Sequence, residues 1–215
     1  MSKPKINHLA RLTFQTVIFI SLTFLCHEKS DAQIAFIGGG NYSNIRSNVS
    51  LENKKPIVGY NFGLSFQYFP IKKFNNLSLL NELDFTQKGY EQEFEKIYSF
   101  KFNYLSVPVL VNYSLSKQIS LQTGVELSQL ISTNIKQGIK TYKDFDLGLV
   151  LGMNFFSSNR FSCYSRFTYG LLPLLDYYEI DELGNFKNKI HDLKNICFSL
   201  GIKINLYDEK ILVSK

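Results

Sequence analysis

The sequence predicts an all-β protein, an eight-stranded antiparallel up-and-down transmembrane β-barrel behind a cleaved signal peptide. Three observations predict it. In the closing segment Ile196, Phe198, Leu200, Ile202, Ile204 and Leu206 are apolar, while Cys197, Ser199, Gly201, Lys203 and Asn205 fill the positions between. Such period-2 alternation is a strand with one face in an apolar medium and the other in a small or polar one, and it recurs in seven earlier segments. The connections between segments alternate long and short, and the mature chain has no apolar stretch of helix length.

Composition fits this reading without demanding it. The chain has 215 residues, 45% of them hydrophobic and 15% aromatic, all Phe and Tyr with no Trp. Its mean hydropathy of -0.07 also describes a soluble domain, but strands that alternate lipid-facing and lumen-facing residues average to neutrality. Residues 1–32 read as a signal peptide. Lys3, Lys5 and Arg11 form a basic start, 16–26 is an apolar run, and Ser30-Asp31-Ala32 supplies a small-x-small cleavage site before Gln33. The apolar run is too short to span a bilayer as a helix, which needs roughly 20 residues. Leu25 before Cys26 is larger than the residue that normally precedes a lipidated cysteine, so ordinary cleavage is expected. Removing four bases and two acids with the leader takes the formal charge from +6 to +4. The remaining bases are scattered rather than gathered into an aromatic-interleaved stripe, so no nucleic-acid partner is expected. Lys136, Lys140 and Lys143 share one loop and read either as a solvated face or as a contact for anionic headgroups.

The barrel is expected to occupy 33–207, with a short periplasmic tail at 208–215. Its first strand, 33–42, is Gly-rich and weakly patterned. The second, 57–69, sets Val58, Tyr60, Phe62, Leu64, Phe66 and Tyr68 against Gly59, Asn61, Gly63, Ser65 and Gln67. The third, 77–88, opposes Leu77, Leu79, Leu83 and Phe85 to Ser78, Glu82, Asp84, Thr86 and Lys88, with Asn81 as a polar lapse. The fourth, 100–115, carries Leu105, Val107, Val109, Val111 and Tyr113 against Ser106, Pro108, Asn112 and Ser114. Proline cannot donate to a ladder, so a bulge or a break in pairing is expected at Pro108. The fifth, 118–130, the sixth, 144–156, and the seventh, 160–171, continue the pattern, and the eighth closes the barrel.

Long connections are expected at 43–56, 89–99, 131–143 and 172–192, and short ones at 70–76, 116–117 and 157–159. Long loops outside and tight turns in the periplasm characterise outer-membrane barrels. A soluble lipocalin-like barrel, apolar inside, is the alternative, and two features oppose it. In the sixth strand Phe145 and Phe155 bracket an aliphatic stripe. Ten steps of roughly 3.3 Å, tilted by roughly 40°, give a height of about 25 Å, which matches an outer-membrane apolar band. The polar face is also rich in Gly and Ser, which suits the crowded lumen of an eight-stranded barrel.

The segment Tyr104-Leu105-Ser106-Val107-Pro108-Val109-Leu110-Val111-Asn112-Tyr113 resembles the Y-L-x-[IV]-P-[VL]-L-x-x-Y signature of the PorT-like outer-membrane β-barrel proteins of Bacteroidetes. Gln87-Lys88-Gly89 and the closing Gly201-Ile202-Lys203-Ile204-Asn205-Leu206-Tyr207 are similar to that family as well. The resemblance implies a barrel in the outer membrane, lipid as its surroundings and a link to protein secretion. Ser199, Gly201, Ile204 and Leu206 resemble the signal read by the barrel-assembly machinery, which makes that machinery the expected partner during insertion. A protein partner is expected through the long extracellular loops.

No catalytic, cofactor-binding or metal-binding residue is assigned. Glu82, Asp84, Lys88, Glu126, Asp146, Arg166 and Lys203 share the polar face, where paired charges offset desolvation in a filled lumen and acid-base catalysis is the lesser reading. The mature chain's one histidine, His191, lacks an accompanying nucleophile motif. Cys163 and Cys197 fall on opposite faces of their strands and are expected to be free, buried thiols rather than a disulfide. The leading expectation is a non-enzymatic anchor, assembly partner or loop-presenting component without a cofactor. A small pore or ligand-binding barrel is the alternative.

Overall fold

Each alternating segment becomes a strand because its two faces meet different surroundings. The computed structural model describes residues 33–47, 53–70, 74, 76–93, 95–135, 142–157, 159–180 and 186–207. Eight strands form the wall: β1 (Gln33–Arg46), β2 (Lys54–Tyr68), β3 (Leu77–Glu93), β4 (Ile97–Ser114), β5 (Ile119–Thr133), β6 (Phe145–Phe155), β7 (Phe161–Gly170) and β10 (Lys194–Tyr207). Each pairs antiparallel with its neighbours, and the ring closes where β1 pairs β10. The expected signal peptide, the tail at 208–215, Lys136 and Lys140 lie outside the described residues.

The faces are those expected of a membrane barrel, polar inward and apolar outward. Glu82, Asp84, Lys88, Asp146, Arg166 and Lys203 are each under 10% exposed, whereas Val58 is 77% and Leu151 and Leu206 are 62% exposed. Tyr60, Phe62 and Phe85 stack on the outer face with ring centroids 5.3–6.3 Å apart. An apolar exterior around a polar interior is the inverse of a lipocalin.

Pro108 interrupts pairing without a bulge. Between β3 and β4 the ladder lapses from Asn81↔Val109 to Asp84↔Ser106 and resumes in the same register. On its other side Pro108 pairs regularly with Glu126. The proline thus turns its missing N–H toward β3. A shift that the sequence reading lacks lies between β2 and β3, where the register slips by one residue between Pro56 and Asn61. Side chains from the inner face of β1 serve the slipped backbone. Asn41 Nδ2 donates to the carbonyls of Tyr60 (3.1 Å) and Gln87 (3.2 Å). The Gly89 N–H donates to Ser43 Oγ at 2.9 Å, and that hydroxyl donates back to the Gly89 carbonyl at 3.2 Å.

Two expectations about the connections need correction. The segment 172–192 is not one loop, because β8 (Leu175–Ile180) and β9 (Phe186–Asp192) pair there as a two-stranded sheet. The strict long-short rhythm also fails, since β3 and β4 continue pairing to Glu93↔Ile97 and leave only 94–96 between them. Length at that end of the barrel resides in extended strands instead. β5 stops short of this extension, and the Asn134 side chain substitutes for it, accepting from Lys101 N (2.9 Å) and donating to Ser99 O (2.7 Å). The end carrying these extensions is called the loop end below, and the opposite one the turn end.

Candidate functional site

The lumen is the place where this fold concentrates polar chemistry, and its residues come together because every second position of each strand points there. Near the turn end one hydrogen-bonded chain crosses six strands. Arg166 Nε (β7) donates to Gln122 Oε1 (β5) at 3.0 Å, and Gln122 Nε2 to Asn112 Oδ1 (β4) at 3.5 Å. Asn112 Nδ2 donates to Ser78 Oγ (β3) at 3.1 Å, as does Gln67 Nε2 (β2) at 2.9 Å. Lys203 Nζ (β10) completes the chain by donating to Gln67 Oε1 at 3.1 Å. Arg166 also grips Glu82 with both terminal nitrogens, the Nη2 contact at 2.8 Å and the other between Nη1 and Oε2.

Nearer the loop end Lys88 Nζ donates to Glu126 Oε1 at 2.5 Å. Glu126 also accepts from Ser128 Oγ at 3.1 Å and Thr168 Oγ1 at 3.5 Å. Asp146 Oδ2 accepts from Asn195 Nδ2 at 2.7 Å. Buried carboxylates held this way keep the charges matched that burial would otherwise make costly. Of the seven charged residues assigned to the polar face, four form two buried ion pairs, Arg166 with Glu82 and Lys88 with Glu126. Lys203 bonds an amide, Asp146 bonds Asn195, and Asp84 Oδ1 has no hydrogen-bond partner among the described residues.

Tyr164, which the sequence reading passes over, spans the middle of the lumen. It sits opposite Gly201 on β10, Gly201 opposite Gly39 on β1, and Gly39 opposite Asn61 on β2. The ring ends over Gly201, and its hydroxyl accepts from Asn61 Nδ2 at 2.6 Å. A Cβ on Gly201 would fall 2.4 Å from that hydroxyl oxygen, and one on Gly39 would fall 2.2 Å from Leu200 O. Gly201 therefore leaves room for the tyrosine, and Gly39 allows the close approach of the β10 backbone. The Arg166 guanidinium lies 4.7 Å from the Tyr164 ring centre.

The loop end is closed by apolar side chains. Ile45, Tyr90, Phe102, Tyr104, Leu130, Leu174 and Leu193 form one buried cluster, against which Phe100, Ile135, Tyr142 and Leu175 pack. Tyr142 meets Phe102 edge-on at 4.8 Å, and burial pushes its phenol above the ordinary value. Leu193 reaches its place through a left-handed backbone (φ 60°) and accepts Leu174 N–H at 2.7 Å. Leu110, Leu80 and Val150 add a second apolar contact within the lumen. Between them lies a cavity of about 20 Å³ bordered by Asn61, Asp84 and Tyr164, room for about one water molecule. The one signal that foretells this filling is inner-face parity: Phe102, Tyr104 and Leu110 on β4 are large apolar residues at positions reserved for polar ones.

His191 and Cys163 lie apart from the lumen, whereas Cys197 borders it. The backbone of His191 belongs to β9. Cys163 is exposed on the outer face and Cys197 is buried, and both are free. Burial of both thiols was expected, but the outer face of β7 is open to lipid, so only the inward cysteine is covered. Among the described residues no group of three or more His, Cys, Asp or Glu is arranged to hold a metal ion.

Residues 21–176 match the profile of the outer membrane protein beta-barrel domain. The chain belongs to that family. It is accordingly an outer-membrane β-barrel protein of a Gram-negative bacterium, with its apolar outer face against lipid. Among solved structures, Neisserial surface protein A is similar at 13% identity, over 81% of this chain and 99% of that one, with a TM-score of 0.49. Ail, the attachment invasion locus protein of Yersinia pestis, is similar at 16% identity over 82% and 99%, with a TM-score of 0.46. OprG of Pseudomonas aeruginosa is similar at 12% identity over 83% and 97%, with a TM-score of 0.45. No curated protein sequence matches the chain.

Proposed function

We propose that this barrel is a non-enzymatic anchor that holds its loop-end surface in place for a protein partner, with protein secretion as the process it serves. The carrying observation is the lumen packed with side chains: two buried ion pairs, a hydrogen-bonded chain across six strands and an apolar cap, with a cavity of about 20 Å³ among them. A lumen so filled favours a scaffold over a channel, and the β3–β4 hairpin and β8–β9 sheet are the elements that would meet a partner. Exposed Ile97 and Tyr98 at the hairpin tip give that surface an apolar contact. Placement among the PorT-like proteins of Bacteroidetes rests on the signature at 104–113. A leader at 1–32, removal before Gln33, insertion by the barrel-assembly machinery and a periplasmic tail at 208–215 complete the reading, with the loop end outside the cell.

Planar-bilayer recordings and site-specific cross-linking test it together. The scaffold reading expects no stable single-channel conductance, and expects cross-linkers at 97–98 and within 172–192 to capture one recurrent protein in intact cells. Steady conductance steps together with an absence of captured protein would replace it with the small-pore reading.

A further inference from the structure

On the outer face, Arg46 of β1 and Lys194 of β10 stand directly opposite each other at the loop end. Like charges at directly opposed strand positions repel. Among the described residues neither forms a salt bridge with a carboxylate, while nearby Lys143 is taken by Asp176 at 2.7 Å. Arg46 instead reaches across β10 and lays its guanidinium 4.0 Å from the centre of the Tyr169 ring. That stacking fixes the cation at the upper edge of the apolar face and leaves its N–H groups open to an anion.

Directly below lies a second, independent feature. Tyr169 is flanked by Ile196 and Leu149, and the next outward row is Phe198, Phe167, Leu151 and Thr123. From that row downward the surface is hollowed into a groove of about 570 Å³, walled by Phe198, Phe167, Leu151, Met153, Leu121 and Tyr113. The hollow exists because Thr123 and Ser165 interrupt a face otherwise made of large apolar side chains. Its size falls in the range of about 300–1,000 Å³ typical of small-molecule sites.

A paired cation at one end of an apolar groove, on a face turned toward the bilayer, matches a phosphorylated lipid. We propose that this face holds one outer-leaflet lipid, its phosphate on Arg46 and Lys194 and an acyl chain in the groove across β5, β6, β7 and β10. The proposal rests on the reading of the loop end as extracellular. Such a lipid would neutralise the opposed cations and fill the hollow at once, which neither a free phosphate nor an uncharged lipid does.

The test uses the full mature protein in detergent, titrated with phosphatidic acid and followed by native mass spectrometry. Diacylglycerol of the same chains and inorganic phosphate serve as the other probes. At about 1 kcal/mol per cation, R46Q/K194Q should weaken retention of phosphatidic acid by about tenfold to thirtyfold. S165F, which fills the groove, should weaken it while leaving the cations in place. Diacylglycerol should bind no better to the native protein than to R46Q/K194Q, and inorganic phosphate should fail to displace phosphatidic acid. Equal retention by the native protein and both variants overturns the proposal, as does full displacement by inorganic phosphate or equal retention of diacylglycerol. Unchanged heat-modifiable gel mobility confirms that each variant is folded. Surface accessibility of 172–192 in intact cells tests the orientation separately, so failure there is distinguishable from failure of the lipid site.

Discussion

Arg166→Met removes the cation that holds Glu82 while preserving most of the aliphatic volume. Glu82 is 2% exposed and both its oxygens are engaged by Arg166. Breaking a buried pair from one side costs about 3–5 kcal/mol, because the remaining charge is uncompensated. The stranded carboxylate has one inexpensive escape, which is to take up a proton. Starting from an ordinary Glu pKa near 4.3, that costs about 3.7 kcal/mol at pH 7 and about 1 kcal/mol at pH 5. The variant should therefore lose about 3–4 kcal/mol at pH 7 and regain most of it at pH 5. With a urea dependence of about 2 kcal/mol per molar, the pH 7 loss moves the unfolding midpoint by about 2 M. The chain has no Trp, so unfolding in micelles is best followed by the heat-modifiable gel shift. Glu82→Gln should cost less, since Arg166 keeps its bond to Gln122 at 3.0 Å and its contact with Tyr164. The double change E82L/R166M should cost less than R166M alone at pH 7, because Glu82 no longer remains as a charge without its partner, although Asp84 and Lys203 stay buried beside the site. A loss below about 1 kcal/mol for R166M at pH 7, or one of equal size at pH 5, would refute the reasoning that the pair is buried and dry.

Under native conditions in detergent a maleimide should add once to the mature chain, at exposed Cys163, and twice only after unfolding, at Cys197 as well; intact mass counts the adducts. Gly201→Ala should lower stability by about 1–3 kcal/mol through overpacking against Tyr164, measured as a urea midpoint. In a Tyr164→Ala background the same change should cost less, although the Gly38 carbonyl 2.5 Å away remains as a clash. Phe102→Ala, in the centre of the apolar cap, should cost about 3–5 kcal/mol by opening a cavity there, and proteolysis within 172–192 should accelerate with it.

Face assignment was legible in the sequence for every strand but the weakly patterned first, because period 2 admits only two answers and Glu82, Asp84, Lys88, Glu126, Asp146, Arg166 and Lys203 each lie on the polar face of their own strand. Strand ends were less so. β3 and β4 continue past the expected limits because Tyr90 and Phe100 stack across the ladder at 4.7 Å, and a stack between strands is invisible to a pattern read along one. Pro108 announced its break through the missing donor alone. The shift near Gly59 had no such signal, since its compensation comes from Asn41 and Ser43 on a different strand. The ion-pair partners were likewise beyond a linear reading, because Arg166 meets Glu82 across 84 positions of chain and parity fixes a face without fixing a height. The groove on the outer face depends on Thr123 and Ser165 becoming neighbours of the Leu151 row, a coincidence of three registers.

The tyrosine that lies over Gly201 and bonds Asn61 has a bearing on how the finished wall behaves. β1 and β10 meet at the one place where the chain's beginning joins its end, and in any barrel that is the natural line along which a sheet unzips. Here β7 and β2, the strands on either side of the join, are tied to each other over it by Tyr164 and Asn61. Parting β1 from β10 therefore strains a buried side-chain hydrogen bond as well as breaking a backbone ladder. The join is bridged from within, which adds resistance to opening the barrel sideways.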